Sequence, residues 1–310
     1  MLSEGWVIAW KMNVSGDAFT NWLSEFRLRE SLPESFGGVV RDHYLPLARN
    51  LVDWRREQSG PLALAVNGAQ GTGKSTLAAC LASLCEQVGG LRTAVLSIDD
   101  LYLTKAEREA MARDVHPLFR TRGVPGTHDV ALGRSVLAAL LEGTQIALPS
   151  FDKSVDDRRP ESEWPQSPTE VDLIILEGWC VGCAPEPEEA LDEAVNDLER
   201  DEDPDGIWRR TVNDALARDY ASFFGEFQRL VMLRAPDFEC VYRWRGEQED
   251  KLRAKVAGQA DQSGVMEERA LARFIHHYER LTRWMLAEMP SRADMVMRLR
   301  EDHTIAGGCE

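Results

Sequence analysis

The chain has 310 residues, of which 44% are hydrophobic, and a formal net charge of −16. This length is enough to bury a sizeable core, either as one large α/β domain or as one domain with additions. The acidic balance argues against binding to nucleic acid or to an anionic membrane, which both require basic surface. We find no secretory signal, no transit peptide in residues 1–13 and no long apolar span, and therefore expect a soluble cytoplasmic protein.

Residues 17–57 are predicted to be largely helical. Asp17 caps a first helix with an apolar face, and Pro33 separates it from a second apolar stretch. Pro46 lies inside that stretch and predicts a kink or a fresh helix start. We expect residues 1–57 to form an N-terminal helical annex packed on the rest of the chain.

A strand, a glycine-rich loop and a helix follow one another in residues 62–84. Leu62–Val66 is a continuous apolar run, typical of a parallel strand buried on both faces. Gly68–Ser75 then reads GAQGTGKS, a complete phosphate-binding loop, and apolar residues recur at helical spacing after it. In this motif Lys74 reaches the β- and γ-phosphates and the Ser75 hydroxyl binds Mg²⁺. The predicted ATP-binding residues are Gly68, Ala69, Gln70, Gly71, Thr72, Gly73, Lys74, Ser75 and Thr76.

Two further strands end in acidic residues. The run 92–98 delivers Asp99 and Asp100, and the run 171–176 delivers Glu177. The carboxyl ends of parallel strands face the ligand crevice, so these carboxylates should lie beside the phosphates. Glu177 occupies the position from which phosphate-loop enzymes hold Mg²⁺ directly or through water.

Between these strands lie two cationic loops, at 120–122 and 153–159, each after an element whose end could face the phosphates. A solvated surface loop is the simple interpretation of 153–159, but such a concentration of cations in an acidic chain also fits an anionic acceptor. A small carboxylate is best held by a bidentate arginine.

Two features have a structural interpretation. Cys180 and Cys183 form one C-x-x-C pair without a second such pair, which disfavours structural zinc or redox chemistry. Residues 186–205 hold eleven Asp or Glu against Arg200 alone, which we interpret as a solvated helix–loop face.

Another strand is predicted at 230–233, helices at 238–256 and 265–287, and an edge strand at 295–299. The alternation of strands and helices along the chain predicts one α/β domain with a parallel sheet.

Six strings carry a specific resemblance: NGAQGTGKST, SIDDLYLT, RGVPGTHD, PSFDKSVDDR, ILEGW and WRGEQEDKLR. In this order and spacing, from about Tyr44 to His303, the chain resembles the D-glycerate 3-kinase branch of the phosphoribulokinase/uridine kinase-like superfamily. The resemblance implies a phosphate-loop kinase at 58–310, with a five-stranded parallel sheet flanked by helices, an acidic insertion at 186–205 and a mobile lid at 238–256. It also implies transfer of the ATP γ-phosphoryl group to the 3-hydroxyl of D-glycerate.

The same resemblance implies roles for single residues. Asp99 is the catalytic base, and Lys74 is catalytic through its contact with the β- and γ-phosphates. Arg245 reaches the transferring phosphoryl group from the lid, where Arg243 also lies. Ser75, Asp100 and Glu177 are magnesium partners, direct or through water. The acceptor pocket is assigned to Tyr102, Arg122, His128, Lys153 and Arg159.

The acceptor stays open between related possibilities. The alternatives are pantothenate, a nucleoside or a sugar phosphate such as ribulose 5-phosphate. A nucleoside pocket needs aromatic rings that stack on the base, and the sequence offers three candidates: Tyr102, Phe119 and Phe151. A nucleotide-binding regulatory module is an alternative of another class, although no N-K-x-D string is present to read guanine. The sequence leaves the oligomeric state undetermined.

Overall fold

The computed structural model describes residues 16–256 and 268–307. The helices are α1 (Asp17–Arg29), α2 (Phe36–Val39), α3 (Leu45–Arg56), α4 (Lys74–Gly89), α5 (Lys105–Asp114), α6 (Val130–Leu141), α7 (Asp197–Glu202), α8 (Ile207–Ala215), α9 (Ala221–Phe224), α10 (Phe238–Val256) and α11 (Glu268–Glu288). The strands are β1 (Leu62–Gly68), β2 (Thr93–Ser97), β3 (Phe151–Asp152), β4 (Asp157–Arg158), β5 (Leu173–Gly178), β6 (Arg229–Arg234) and β7 (Met295–Arg298).

The main sheet has five strands in the order β2-β5-β1-β6-β7, and every neighbouring pair is parallel. β1 is central and each of its residues is buried, as its continuous apolar run predicts. The register places Val66 and Ser97 on either side of Glu177. The carboxyl ends of β1, β2 and β5 therefore meet, and the predicted five-stranded parallel sheet with β7 at its edge is confirmed.

The N-terminal helices pack against α4. Trp22 of α1 donates a hydrogen bond from Nε1 to Oγ of Ser83, over 2.7 Å. Val52 of α3 lies so close to Gly89 that a Cβ there would be 2.5 Å from the valine Cγ2. A π-helical turn at Val40–Tyr44 leads directly into α3, which has Pro46 in its first turn. Proline is tolerated there because the first N–H groups of a helix have no intrahelical partner.

The acidic segment 186–205 is mostly solvated, as we interpreted it, but two of its carboxylates are buried. Glu199 and Asp203 are both 0% exposed. Arg280 of α11 contacts Oε2 of Glu199 through Nη2 over 2.7 Å, and Arg209 of α8 contacts Oδ2 of Asp203 through Nη1 over 3.0 Å. Buried carboxylates require such partners. These arginines come from distant or later elements, which the charge composition of the segment does not reveal.

The charged stretch 153–159 lies in a tight antiparallel hairpin. Phe151 pairs with Arg158 and Asp152 with Asp157. The predicted helix at 265–287 is observed from Glu268, and its residues 265–267 lie outside the described part of the chain, as do residues 1–13. Within the described ranges, no helix combines the length and the apolar character that crossing a bilayer requires.

Candidate active site

The glycine-rich loop connects β1 to α4. Gly71 and Gly73 have φ angles of 83° and 84°, in the left-handed region that favours glycine. A Cβ on Gly71 would also lie 2.8 Å from Cβ of Trp244, so this glycine lets α10 pack directly on the loop. A strand, loop and helix so connected present backbone N–H groups and a positive helix end to phosphate.

Lys74 is the first residue of α4 and is half-buried. It forms no ion pair with any residue that the structure describes. It lines a cavity of about 420 Å³ whose walls also include Asp99, Arg122, Lys153 and Arg245. Gln70, Gly71, Tyr102, Trp179, Phe274 and Tyr278 complete the lining. Residues predicted from five separate parts of the sequence thus meet in one cavity.

Ser75 and Glu177 form the polar contact between the loop and β5. Ser75 Oγ donates a hydrogen bond to Oε1 of Glu177 over 2.9 Å. The other carboxylate oxygen, Oε2, is buried and has no hydrogen-bond partner among the described residues. Such an oxygen needs a donor or a cation. Mg²⁺ in phosphate-transfer sites takes one or two carboxylates and completes its shell with phosphate oxygens and water, so these two residues fit it.

Asp100 lies close to the same place. Its Oδ1 accepts a hydrogen bond from the backbone N of Phe151 over 3.0 Å. Burial raises the pKa of Asp100, and the charges of Asp99 and Glu177 add to that effect against the opposing Phe151 N–H. A cation beside these carboxylates would favour their charged forms. Within residues 16–256 and 268–307, no group of three or more His, Cys, Asp or Glu is arranged to hold a metal ion.

Asp99 lies just past the end of β2, in a 3₁₀ turn where its own backbone N–H donates a hydrogen bond to Ser97 Oγ. Its Oδ1 accepts a hydrogen bond from the Tyr102 hydroxyl over 2.8 Å, and its Oδ2 pairs with Lys153 Nζ over 2.6 Å. Burial pushes the pKa of Asp99 upward, but the charges of Lys153 and Lys74 and the two hydrogen bonds hold it below its usual value. Asp99 is therefore ionised at neutral pH.

Arg122 lies across the cavity on the loop before α6 and pairs with the Asp156 carboxylate at the tip of the β3–β4 hairpin. Two hydrogen bonds hold the backbone at this position. The Tyr278 hydroxyl donates to the Arg122 carbonyl over 3.2 Å, and Trp179 Nε1 donates to the Gly123 carbonyl over 2.9 Å. Gly123 has a φ of 138°, and a Cβ on it would lie 2.2 Å from the Tyr278 hydroxyl oxygen. Close packing therefore sets the position of Arg122.

His128 and Arg159 are not among the residues that line the cavity. His128 lies behind Tyr102, with ring centroids 4.7 Å apart, and its Nδ1 is 2.6 Å from the Tyr220 hydroxyl. Burial lowers the pKa of His128 to about 4, so the ring is neutral. Arg159 pairs with Asp152 over 2.7 Å on the outer side of the hairpin.

The two arginines of α10 differ in direction. Arg245 lines the cavity, pairs with Glu249 over 3.0 Å and lies 5.9 Å from the centroid of the Phe274 ring. Arg243 instead contacts Glu301 over 3.0 Å. The two arginines lie two residues apart on the helix, on roughly opposite faces, so one contacts the cavity and the other the residues after β7.

Three aromatic residues of the cavity were missed from sequence: Trp179, Phe274 and Tyr278. Trp179 directly follows the Glu177-Gly178 strand end, and this position was a usable signal. Phe274 and Tyr278 lie four residues apart on α11, a helix that we interpreted as structural. Their spacing is that of any buried helix face, so only the packed structure distinguishes them.

The C-x-x-C pair is part of the core. Cys180 and Cys183 are 0% and 4% exposed. Cys183 Sγ lies 3.8 Å from Met285 Sδ, and burial raises the pKa of both thiols far above the usual value. Protonated thiols in an apolar site are neither metal ligands nor nucleophiles.

Comparison with known proteins identifies relatives of the chain, although no family model matches it. It is 34% identical over 238 residues to an uncharacterized kinase, mug58, of Schizosaccharomyces pombe, a match that takes in 72% of this chain and 80% of the relative. It is 31% identical over 249 residues to the chloroplastic D-glycerate 3-kinase of Arabidopsis thaliana. That match covers 76% of this chain and 50% of the plant protein, so the chain spans about half the length of that relative.

A solved structure shares the fold. The D-glycerate 3-kinase from Cryptococcus neoformans var. grubii superposes with a TM-score of 0.71 at 24% identity, covering 86% of this chain and 97% of that one. Both relatives by sequence are named as kinases. The phosphate-binding loop on a parallel sheet, described above, is consistent with phosphoryl transfer. The chain therefore belongs to the same family of phosphate-loop kinases as its two relatives by sequence, mug58 and the plant D-glycerate 3-kinase.

Proposed function

We propose that this kinase transfers the γ-phosphoryl group of ATP to the 3-hydroxyl of D-glycerate. One observation carries the proposal: the ionised Asp99 lies in a single cavity with Lys74 of the phosphate-binding loop and with Arg122 and Lys153. This reaction needs a base for the acceptor hydroxyl, a cation that binds the phosphates of ATP, and cations that bind the carboxylate of the acceptor.

Phosphoryl transfer is catalysed mainly by positioning and by charge stabilisation. Lys74 would bridge the β- and γ-phosphates, and Arg245 would neutralise charge on the transferring group. Asp99 would orient the acceptor hydroxyl in line with the phosphorus atom and accept its proton. Ser75 and Glu177, with Asp100 beside them, would hold Mg²⁺, which supplies charge neutralisation between the phosphates.

A nucleoside is the second candidate acceptor, because four aromatic side chains line the cavity. Each of these four side chains already packs against another aromatic ring. Tyr102 stacks on His128, and Trp179 meets Tyr278 edge-on with centroids 4.8 Å apart. Rings packed in this way form a wall that excludes water, and among the described residues they leave no slot in which a nucleobase could stack. The packing therefore favours D-glycerate over a nucleoside as the acceptor.

A panel of acceptors tests the proposal. ADP release is measured with D-glycerate, L-glycerate, pantothenate, uridine and ribulose 5-phosphate at matched concentrations, with no acceptor as the blank. We expect D-glycerate to give the highest kcat/KM. Preferred turnover of uridine would transfer the proposal to a nucleoside, and ATP binding without turnover of any acceptor would favour a regulatory module.

Replacing Arg122 with alanine should raise the KM for D-glycerate by about 30- to 150-fold, because a charge-assisted bidentate contact contributes about 2–3 kcal/mol. The KM for ATP should change little, since Arg122 lies on the acceptor side of Asp99. Arg134→Ala is the control, because Arg134 pairs with Glu226 on the surface. An unchanged KM for D-glycerate would move the anion site to Lys153, the other cation on the cavity wall opposite the phosphate-binding loop.

Replacing Cys180 and Cys183 with serine, singly and together, should leave kcat within a few-fold of the parent enzyme. The thiols are buried and protonated, so they take no part in the chemistry, but a buried hydroxyl without a partner costs about 1–3 kcal/mol of stability. Thermal unfolding and ADP release measured on the same samples separate the two effects. Zinc bound stoichiometrically to the parent and absent from the double variant would contradict this prediction.

A further inference from the structure

Both oxygens of the Asp99 carboxylate already have partners. Oδ1 accepts from the Tyr102 hydroxyl and Oδ2 pairs with Lys153 Nζ. Tyr102 is 3% exposed, and its ring is held between His128 and Phe151, with centroid distances of 4.7 and 5.2 Å. The Lys153 side chain is 59% exposed. Lys153 is therefore the partner that can leave Asp99.

The three cations that the sequence analysis assigned to the acceptor pocket are all paired with carboxylates, but only one pair involves the base. Arg122 pairs with Asp156 and Arg159 with Asp152, and both carboxylates belong to the β3–β4 hairpin. Lys153 belongs to the same hairpin and reaches out of it to Asp99. An anion that replaces Asp156 at Arg122, or Asp152 at Arg159, does not change the contacts of Asp99. An anion that takes Lys153 changes the hydrogen bonding of the base itself.

We propose that Lys153 determines acceptor specificity by capping Oδ2 of Asp99 until a carboxylate of the acceptor draws its ammonium group away; this rests on the proposed function. The freed oxygen then accepts the proton of the acceptor hydroxyl. The hydroxyl oxygen forms its bond to the γ-phosphorus while the bond from that phosphorus to the bridging oxygen of ADP breaks. Water and uncharged alcohols leave the cap in place and react poorly, which protects ATP from wasteful hydrolysis.

The variant Lys153→Met tests the cap with two acceptors, D-glycerate and the uncharged ethane-1,2-diol. With the diol, kcat/KM should rise about two- to fivefold, the range that a partly exposed ion pair supports. With D-glycerate it should fall about tenfold or more, because a charge-assisted partner of the carboxylate is lost. A purely structural role would lower both values. A diol value that stays the same or falls would overturn the proposal.

Acetate provides a second readout, because it carries the carboxylate without the hydroxyl. Added to the parent enzyme with the diol, it should raise the rate of ADP release with saturation, and it should have no effect on Lys153→Met. Lys153→Arg keeps a cation and should keep the acetate response. Lys105→Met is the matched control, since Lys105 is an exposed lysine at the start of α5, and it should behave as the parent does. Loss of the response in Lys153→Arg or in Lys105→Met would contradict a charged cap at position 153.

The two proposals fail in different ways. If another hydroxy acid is preferred to D-glycerate while acetate still activates the diol reaction, the assigned substrate is wrong and the cap stands. If D-glycerate is the preferred acceptor but acetate has no effect on the parent, the substrate stands and the cap is wrong.

Discussion

Replacement of Lys74 with alanine is expected to reduce phosphoryl transfer below detection while the fold stays intact. Lys74 supplies the cation of the phosphate-binding loop, and loss of one preorganised electrostatic contact to a transition state costs about 10²- to 10³-fold or more in kcat. It also helps to keep Asp99 ionised. Alanine is the best helix former, so the first turn of α4 should persist.

The measurement is ADP release with D-glycerate, together with far-UV circular dichroism and thermal unfolding to check the fold. Lys105→Ala is the control, because it removes a lysine at the start of another helix, α5, outside the cavity. A Lys74→Ala enzyme with full activity and a matched spectrum would refute the assignment of this loop to phosphate binding.

Replacement of Asp99 with asparagine is expected to lower kcat by ~10²- to 10⁴-fold, the usual contribution of general acid–base catalysis. An amide of the same shape cannot accept the hydroxyl proton, and it also loses the ion pair with Lys153. The lower half of the range is expected, because a loose transition state needs little deprotonation of the nucleophile. ATP affinity should change little or improve slightly, since a negative charge leaves the phosphate site.

Asp100→Asn is the informative comparison. If Asp100 serves the metal, this variant should alter the dependence of the rate on magnesium concentration and should leave a larger share of kcat than Asp99→Asn. The experiment measures steady-state kcat over a magnesium titration, with direct nucleotide binding for both variants. Retention of most of kcat in Asp99→Asn and its loss in Asp100→Asn would show that the two roles are reversed.

The sequence predicted much of the architecture because its signals were local. A buried strand such as β1 is apolar throughout, the GAQGTGKS loop has a backbone requirement that only glycines meet, and two strand ends carry acids. In a parallel sheet the ends of strands meet at one edge, so these local signals also predicted that Asp99, Glu177 and Lys74 would be neighbours. The register of β2, β5 and β1 agrees with that.

Other features depend on residues far apart in the chain and had no local signal. The acidic segment resembles a solvated surface by composition, yet Arg280 and Arg209 bury two of its carboxylates. The β3–β4 hairpin consists of two-residue strands, too short for a periodic pattern. Its position decides that Lys153 reaches Asp99 while Arg159 turns to Asp152.

By itself the sequence determined the phosphate-binding loop, the order of strands and helices and the set of acidic strand ends, because each follows from the chemistry of a few consecutive residues. Only the tertiary structure decided which side chains share the cavity. Tyr278 enters it from a helix more than a hundred residues beyond Asp99, and His128 is excluded from it by the ring of Tyr102. Which residue lines a cavity is settled by packing between distant elements, and no short stretch of sequence contains that information.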